Sequence, residues 1–291
     1  MRYEGPIYRP PSEADSLLIQ ATVGCPHNQC TFCTIYKNGT RFKIRPVQEI
    51  MEDIDSASKI YGPNVKTLFF PAGNTIAMKT DDLVAICIYA RKVFPDLERI
   101  TVYGSSQYIH IKGPNGLKQL ADAGLNRIHV GLESGNDDVL RHVKKGVDAR
   151  RQIEACQWVV ASGLELSLYV VLGLGGMVLS DQHAQATANA LNQINPDFIR
   201  LRTFVPKINT PLLDDVESGK FKMLGPHGVI EETECLIRQL KVTSYLVSDH
   251  YTNYIDVHGN LPESQNQILA QIKAARQLPE SQFRPFFVGE Q

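Results

Sequence analysis

The chain has 291 residues, of which 43% are hydrophobic and 21% charged, so it can bury the core of one large domain or two small ones. A formal net charge of -1 argues against a protein that binds nucleic acid through an excess of positive charge. The sequence begins without the apolar segment of a secretory signal and contains no apolar run near the roughly 20 residues that a membrane span needs, so we expect a cytoplasmic protein with no membrane partner.

Short apolar runs alternate with amphipathic segments along most of the chain, and this alternation predicts strands separated by helices. The predicted strands are 16–23, 65–71, 99–104, 127–132, 164–172 and 198–204. Start signals for the helices between them include Pro46, Asp148 and Ser180. Six strand–helix repeats of roughly 30 residues indicate a parallel sheet with right-handed crossovers.

The predicted strands carry polar residues on one face only, which favours one type of parallel sheet. Around the fourth strand, Ile128 and Val130 share a face, whereas His129 and Glu133 lie on the other. A sheet covered by helices on both faces would be apolar on both, so the polar face suits the lumen of an open barrel. The sequence therefore predicts an α/β fold, an incomplete TIM-type (β/α)6 barrel whose lumen holds water or a polar ligand. The alternative is that some polar positions lie at exposed strand ends.

The strand–helix rhythm stops after residue 205. The segment KINTPLLDDVESGKFKMLGP has the composition of a loop, and two helices are predicted beyond it. We therefore predict three parts: an N-terminal arm at 1–15, the partial barrel at 16–205, and a helical and loop extension at 206–291 that closes the barrel.

Three of the six cysteines lie in one loop, GCPHNQCTFC, directly after the first predicted strand. Four residues separate Cys25 from Cys30, and two separate Cys30 from Cys33. In a reducing compartment, clustered thiols are more often metal ligands than disulfides. The spacing suits an iron–sulfur cluster, or a zinc ion with His27 as its fourth ligand. The other cysteines lie on apolar helix faces and are predicted to be core residues: Cys87, Cys156 and Cys235.

The cysteine loop resembles that of the radical S-adenosylmethionine superfamily, in which three loop cysteines hold a 4Fe-4S cluster and leave one iron open to the cofactor. An aromatic residue, Phe32, precedes the last cysteine as in that family, and the resemblance implies that it flanks the adenine. The first gap departs from the family, which more often has three residues there. Three further segments, 127–146, 168–176 and 200–213, resemble the branch that contains oxygen-independent coproporphyrinogen oxidases, methylthiotransferases and the Elongator catalytic subunit.

The resemblance implies roles for residues outside the loop. Glu133 ends the fourth strand and Lys145 lies twelve positions later, matching a family pair that contacts the cofactor and holds its carboxylate. Gly173, at the Gly-rich end of the fifth strand, would lie along the adenosine. The family usually has Gly-Gly-Glu after the second strand, where this chain has Pro-Ala-Gly-Asn. Gly73 and Asn74 would therefore receive the methionyl ammonium group without the charge of a carboxylate.

The same resemblance implies a radical enzyme that works without oxygen. The reduced cluster would give one electron to S-adenosylmethionine, and the 5′-deoxyadenosyl radical would take hydrogen from the substrate. An electron donor such as flavodoxin or ferredoxin would be a partner. Because the sequence contains no basic RNA-binding segment, we expect a small-molecule substrate. The alternatives are a zinc-binding barrel that acts as a binding module, and radical modification of tRNA.

Polar positions on the lumen face suggest where a substrate binds. Arg200 and Arg202 share this face of the sixth strand, and a cation away from water needs a partner. We therefore expect Arg202, nearer the active end, to bind an anionic group of the substrate, unless the edge strand leaves it solvated. Tyr103 and Tyr169 lie on the same face of their strands. His250, in the polar and aromatic segment SDHYTNYIDVHGNLP, is expected to contact substrate at the barrel mouth, with an ordinary turn as the alternative.

Overall fold

The computed structural model describes residues 1–37, 39 and 41–289. The strands are β1 (Leu17–Leu18), β2 (Thr22–Val23), β3 (Lys43–Ile44), β4 (Thr67–Phe70), β5 (Arg99–Gly104), β6 (Arg127–Glu133), β7 (Glu165–Leu172), β8 (Phe198–Thr203), β9 (Tyr245–Val247) and β10 (His258–Asn260). The helices are α1 (Val47–Tyr61), α2 (Thr80–Val93), α3 (Ser106–Asp122), α4 (Asp137–His142), α5 (Ala149–Ala161), α6 (Gly176–Ile194), α7 (Pro211–Glu217), α8 (Pro226–Arg238) and α9 (Gln265–Ala275). The last two residues of the predicted extension, 290 and 291, lie outside this description.

One compact unit of the chain, unit 1, comprises Met1–Asn28, Ile35–Val130 and Trp158–Leu166. In unit 1, β1, β4, β5 and the start of β6 are neighbours in that order, and their pairings are parallel. The register sets Leu68 beside Ile100 and Val102 beside Ile128, and all four side chains are fully buried. This apolar face is therefore part of the core, as the alternation in the sequence predicts. β2 and β3 form a separate antiparallel pair.

A second compact unit, unit 2, comprises Gln29–Thr34, Gly131–Gln157 and the described residues from Ser167 onward. Here β7, β8 and β9 are parallel neighbours, and β10 joins β9 in antiparallel fashion. Helix α8 packs against both α6 and α9. No helix in the described part of the chain combines the length and the apolar character needed to cross a bilayer.

The predicted α/β class and incomplete TIM-type barrel are confirmed, because the sheet is mostly parallel and the described residues form no closed barrel. β5 coincides with the predicted strand 99–104. The predicted strand 16–23 is instead two strands, since β2 pairs with β3 and not with β4. β9 and β10 lie where only loops and helices are predicted. The division into arm, barrel and extension stays a prediction.

The polar face of unit 1 is occupied by a carboxylate of the chain itself. Glu13, at the end of the 3-10 helix Pro11–Glu13, is fully buried. Its two oxygens lie 2.7–3.4 Å from five side chains: Ser16, Arg99, Thr101, Arg127 and His129. Burial alone would raise the pKa of Glu13, but hydrogen bonds from His129 and Ser16 and the charge of Arg99 lower it to about 2. The side chains at these lumen positions therefore contact another residue of the chain itself.

Two local predictions are wrong. Ser180 does not cap α6, which begins earlier at Gly176, because the Ser180 hydroxyl donates to Glu232 Oε2 at 2.6 Å. Cys235 is only partly buried, since it lies at the edge of the apolar face of α8, near Asp181. Cys87 and Cys156 are fully buried, as predicted. The Asp148 carboxylate caps α5 by accepting from the Arg151 N–H at 2.7 Å, which confirms that start signal.

Candidate functional site

In unit 1, the turn after β4 packs against the start of the cysteine loop. A side chain at Gly73 would bring its Cβ within 2.6 Å of the Gly24 carbonyl oxygen and 3.0 Å of the Cys25 Cα, so only glycine fits there. The preceding Ala72 has a φ of +82°, which is strained for a residue with a Cβ. Cys25 Sγ accepts a hydrogen bond from the Asn28 N–H at 3.4 Å.

The same turn presents a buried hydrogen-bond acceptor. Asn74 is 1% exposed, and its Nδ2 donates to Ser105 Oγ at 2.8 Å. Its Oδ1 is buried and receives no hydrogen bond from any described residue. Because an unsatisfied buried carbonyl is costly, this oxygen suits a donor brought by a ligand, such as an ammonium group.

In unit 2, the second half of the cysteine loop is anchored through its backbone. The Thr31 N–H donates to the Val143 carbonyl at 3.0 Å, and the Thr31 carbonyl accepts from the Leu212 N–H at 3.1 Å. Phe32 packs against a buried apolar cluster whose members are Val139, Val143, Val171, Leu174, Phe204, Leu212 and Phe221. Cys30 and Cys33, like Cys25 in unit 1, are partly exposed cysteines outside any disulfide. Such thiols are available to bind a metal or a cluster.

The structure brings together the two residues that the sequence pairs at a separation of twelve. Lys145 Nζ lies 2.8 Å from Glu133 Oε1, and the two side chains are 11% and 13% exposed. Glu133 has a φ of +61°, and the Ser134 N–H donates to the Leu132 carbonyl at 2.8 Å, which makes a γ-turn about Glu133. A Cβ at Gly131 would overlap the Glu133 carboxylate, so that glycine leaves room for the ion pair.

Gly173, at the end of β7, has a φ of +77° that favours glycine. Its N–H donates to Glu232 Oε1 at 2.6 Å. Sequence reasoning missed Glu232, because the only local signal is a Glu on a predicted helix.

Two cationic side chains, Arg202 at the end of β8 and Lys207 beyond it, lie near His250 in unit 2. The Arg202 guanidinium carbon is 4.6 Å from the ring centroid of Tyr169, and no described carboxylate forms a salt bridge with Arg202. Burial, together with the charges of Arg202 and Lys207, lowers the pKa of His250 to about 4. Burial also lowers the pKa of Lys207, which Cys33 raises and Arg202 lowers further. The sequence analysis did not identify Lys207, because this residue lies beyond the predicted strand 198–204 and so outside its alternation of polar and apolar residues.

The remaining predicted residues are placed differently. Arg200 Nε donates to Ser167 Oγ at 3.0 Å, and the guanidinium lies 5.4 Å from the Phe198 ring. Tyr103 lies in unit 1, where its ring meets those of Phe69 at 5.0 Å and His129 at 5.8 Å. Within residues 1–37, 39 and 41–289, no three His, Cys, Asp or Glu side chains are grouped as metal ligands would be.

Comparison with known proteins identifies relatives of this chain. The family model described as the Radical SAM superfamily matches residues 19–189, more than half of the chain. An uncharacterized methyltransferase of Pyrococcus horikoshii is 19% identical over 244 residues, which cover 79% of this chain and 51% of the relative. The chain spans about half the length of the curated relatives it matches.

Solved structures resemble the fold. Coproporphyrinogen III oxidase from Escherichia coli, a radical SAM enzyme, matches with a TM-score of 0.58 and 18% identity, over 77% of this chain and 52% of that one. The radical S-adenosylmethionine methyltransferase TsrM of Kitasatospora setae was solved with cobalamin and a [4Fe-4S] cluster. It matches with a TM-score of 0.56 and 17% identity, over 70% of this chain and 39% of that one. The superfamily predicted from the sequence is thus confirmed.

Proposed function

This chain belongs to the Radical SAM superfamily, and on that premise we propose that it binds a 4Fe-4S cluster through Cys25, Cys30 and Cys33 and cleaves S-adenosylmethionine reductively. The observation that carries the proposal is that three partly exposed cysteines, none of them in a disulfide, lie on one loop inside the matched segment. Three thiolates are the donor set of an iron–sulfur cluster. When bound, the cluster supplies the electron for cleavage, and S-adenosylmethionine supplies the 5′-deoxyadenosyl group that takes hydrogen from the substrate.

Residues outside the loop would contact the cofactor in the roles that the family resemblance implies. The unpartnered Asn74 Oδ1 would accept from the methionyl ammonium group, in place of a carboxylate. Glu133 would contact the cofactor, and Lys145, whose Nζ lies 2.8 Å from Glu133 Oε1, would hold the methionyl carboxylate. Gly173 would lie along the adenosine and Phe32 beside the adenine. The protein would thus bind, orient and shield the cofactor.

The substrate in this proposal is a small molecule with an anionic group. Arg202 has no salt-bridge partner within the described residues, and it shares its surroundings with Lys207 and His250. A half-buried guanidinium without a carboxylate partner favours an anion such as a carboxylate or phosphate. Tyr169, stacked beneath Arg202, would fix the direction of the guanidinium. Flavodoxin or ferredoxin as electron donor and a cytoplasmic location complete the proposal.

The deciding experiment is reconstitution of the protein with iron and sulfide in the absence of oxygen, followed by reduction in the presence of S-adenosylmethionine. We expect a brown protein with about four irons that forms 5′-deoxyadenosine. Cys25→Ala, Cys30→Ala and Cys33→Ala should each remove iron and product, whereas Cys87→Ala, at a fully buried core position, should keep both. A colourless protein with one zinc per chain, lost in a His27→Ala variant, would support the zinc-binding alternative and overturn the proposal.

A further inference from the structure

A buried carboxylate from α8 reaches the turn that ends β7. Glu232 is 2% exposed; its Oε1 accepts from the Gly173 N–H and its Oε2 from the Ser180 hydroxyl, both at 2.6 Å. The positive φ of Gly173 turns its N–H out of the strand ladder, so this donor needs a separate acceptor. A carboxylate makes a stronger hydrogen bond than a neutral acceptor does. Glu232 therefore fixes the direction of the turn at Gly173.

His183 connects the same region to the turn that ends β6. Its Nε2 lies 3.1 Å from the Val171 carbonyl oxygen and 3.6 Å from Glu232 Oε1. Because a carbonyl oxygen only accepts, we assign the ring hydrogen to Nε2. Nδ1 is then free to accept from the Ser134 hydroxyl at 2.8 Å. His183 and Ser134 are both buried.

Ser134 in turn holds the strained backbone at Glu133. Such a γ-turn persists only where the surrounding contacts determine it. The Ser134 hydroxyl accepts from the Asn136 N–H at 3.0 Å, and its carbonyl accepts from Gln152 Nε2 at 3.1 Å. Together with the bond to His183, these contacts fix the residue that follows Glu133.

Ser134 contacts His183 and His183 contacts Glu232, which is the order of contacts in a hydrolytic triad. The geometry nevertheless does not suit nucleophilic attack. The Ser134 side chain is fully buried, and its hydroxyl already accepts from a backbone N–H. The Glu232 carboxylate is committed to Gly173 and Ser180. A nucleophile must be exposed to its substrate. The three residues are therefore suited to positioning and not to catalysis.

We propose that Glu232 and His183 are positioning residues that hold the turns at Gly173 and Glu133 in the geometry that receives S-adenosylmethionine. The inference rests on the proposed function, which assigns those two turns to the cofactor. Glu232 lies outside the matched segment 19–189, so α8 would add to the cofactor site a support that the family match does not include.

The first test compares two glutamates of α8 in the reconstituted full-length protein. Glu232→Ala should weaken S-adenosylmethionine binding about tenfold or more, with iron content unchanged, because the Gly173 N–H loses its charged acceptor. Glu232→Gln keeps an oxygen acceptor of the same shape and should restore affinity to within about threefold of the wild type. Glu234→Ala is the matched control, since Glu234 is on the same helix and forms salt bridges with Arg238 and Arg276.

Glu234→Ala should lower the thermal midpoint but change affinity less than about twofold. Equal losses of affinity in Glu232→Ala and Glu234→Ala at equal loss of thermal stability would overturn the inference, as would unchanged affinity in a folded Glu232→Ala protein.

A second readout needs no cofactor and separates the inference from the proposed function. Amide hydrogen exchange in the protein before reconstitution should accelerate at 173–176 and at 133–136 in both Glu232→Ala and His183→Ala, and not in Glu234→Ala. A wild-type protein that binds no S-adenosylmethionine would refute the proposed function, and with it the role of the network in receiving the cofactor. Exchange that stays slow at both turns in Glu232→Ala would refute the network itself.

Discussion

Two groups of charged residues differ in whether their charges are balanced. In unit 1, Arg99, Arg127 and His129 meet the buried carboxylate of Glu13. In unit 2, Arg202 and Lys207 lie near His250, and Arg202 has no carboxylate partner within the described residues. The sequence pattern treats His129 and Arg202 alike, as polar residues on a lumen face. Their contacts separate a group that stabilises the fold from one that is available to an anion.

The largest effect is expected from removing the carboxylate that balances the charges in unit 1. Glu13→Ala removes the buried carboxylate that lies beside Arg127 and His129 and should cost roughly 3–5 kcal/mol of unfolding free energy. Urea denaturation followed by circular dichroism would measure it. The control is Glu98→Ala, whose exposed pair with Lys66 should contribute less than about 1 kcal/mol. If both variants lose the same small amount, the Glu13 group does not stabilise the fold.

Acid should reveal the same group without removing it. Since the folded state lowers the pKa of Glu13 to about 2, its contribution is complete above about pH 4.5 and is lost as the pH falls toward 2. The shift corresponds to roughly 3 kcal/mol. Urea midpoints between pH 6 and pH 3 should therefore fall more steeply for the wild type than for Glu13→Gln, which cannot titrate. Parallel curves for the two proteins would contradict the assignment.

Some features of the fold and of the site can be predicted from the sequence, and others cannot. Alternation and turn signals predict β5 to the residue and the apolar face of β6, because both depend on near neighbours. The family resemblance, and not the alternation, pairs Glu133 with Lys145, which the structure brings within 2.8 Å. Glu13 and Glu232 could not be found in this way, because each acts on strands or turns far away in sequence. Ser180 shows the error most simply: a hydroxyl suited to capping is used in a tertiary contact.

An intermediate case is the ion pair of Glu133 and Lys145, which is balanced within unit 2 and yet proposed to meet the cofactor. Lys145→Ala should weaken S-adenosylmethionine binding about ten- to a hundredfold, because one charge-assisted contact is lost, and should leave the iron content unchanged. Equilibrium binding to the reconstituted protein measures it. The neighbouring Lys144→Ala, at an exposed position, is the control and should bind as the wild type does. Wild-type affinity in Lys145→Ala would make the pair a purely structural one.

The smallest effect on stability is expected where the charges are unbalanced. Arg202→Gln removes a cation without stranding a carboxylate, so the unfolding free energy should change by less than about 1 kcal/mol. The pKa of His250 should rise above about 4, since burial still lowers it but the charge of Arg202 no longer does. Titration of the His250 ring by NMR measures this shift without any knowledge of the substrate. Arg200→Gln is the matched control, because Arg200 bonds Ser167 and is not among the charges that shift His250. With the substrate, Arg202→Gln should impair turnover while cofactor cleavage in its absence continues. An unchanged pKa of His250 would mean that Arg202 does not lie close to His250, and the argument for an anionic substrate would then fail.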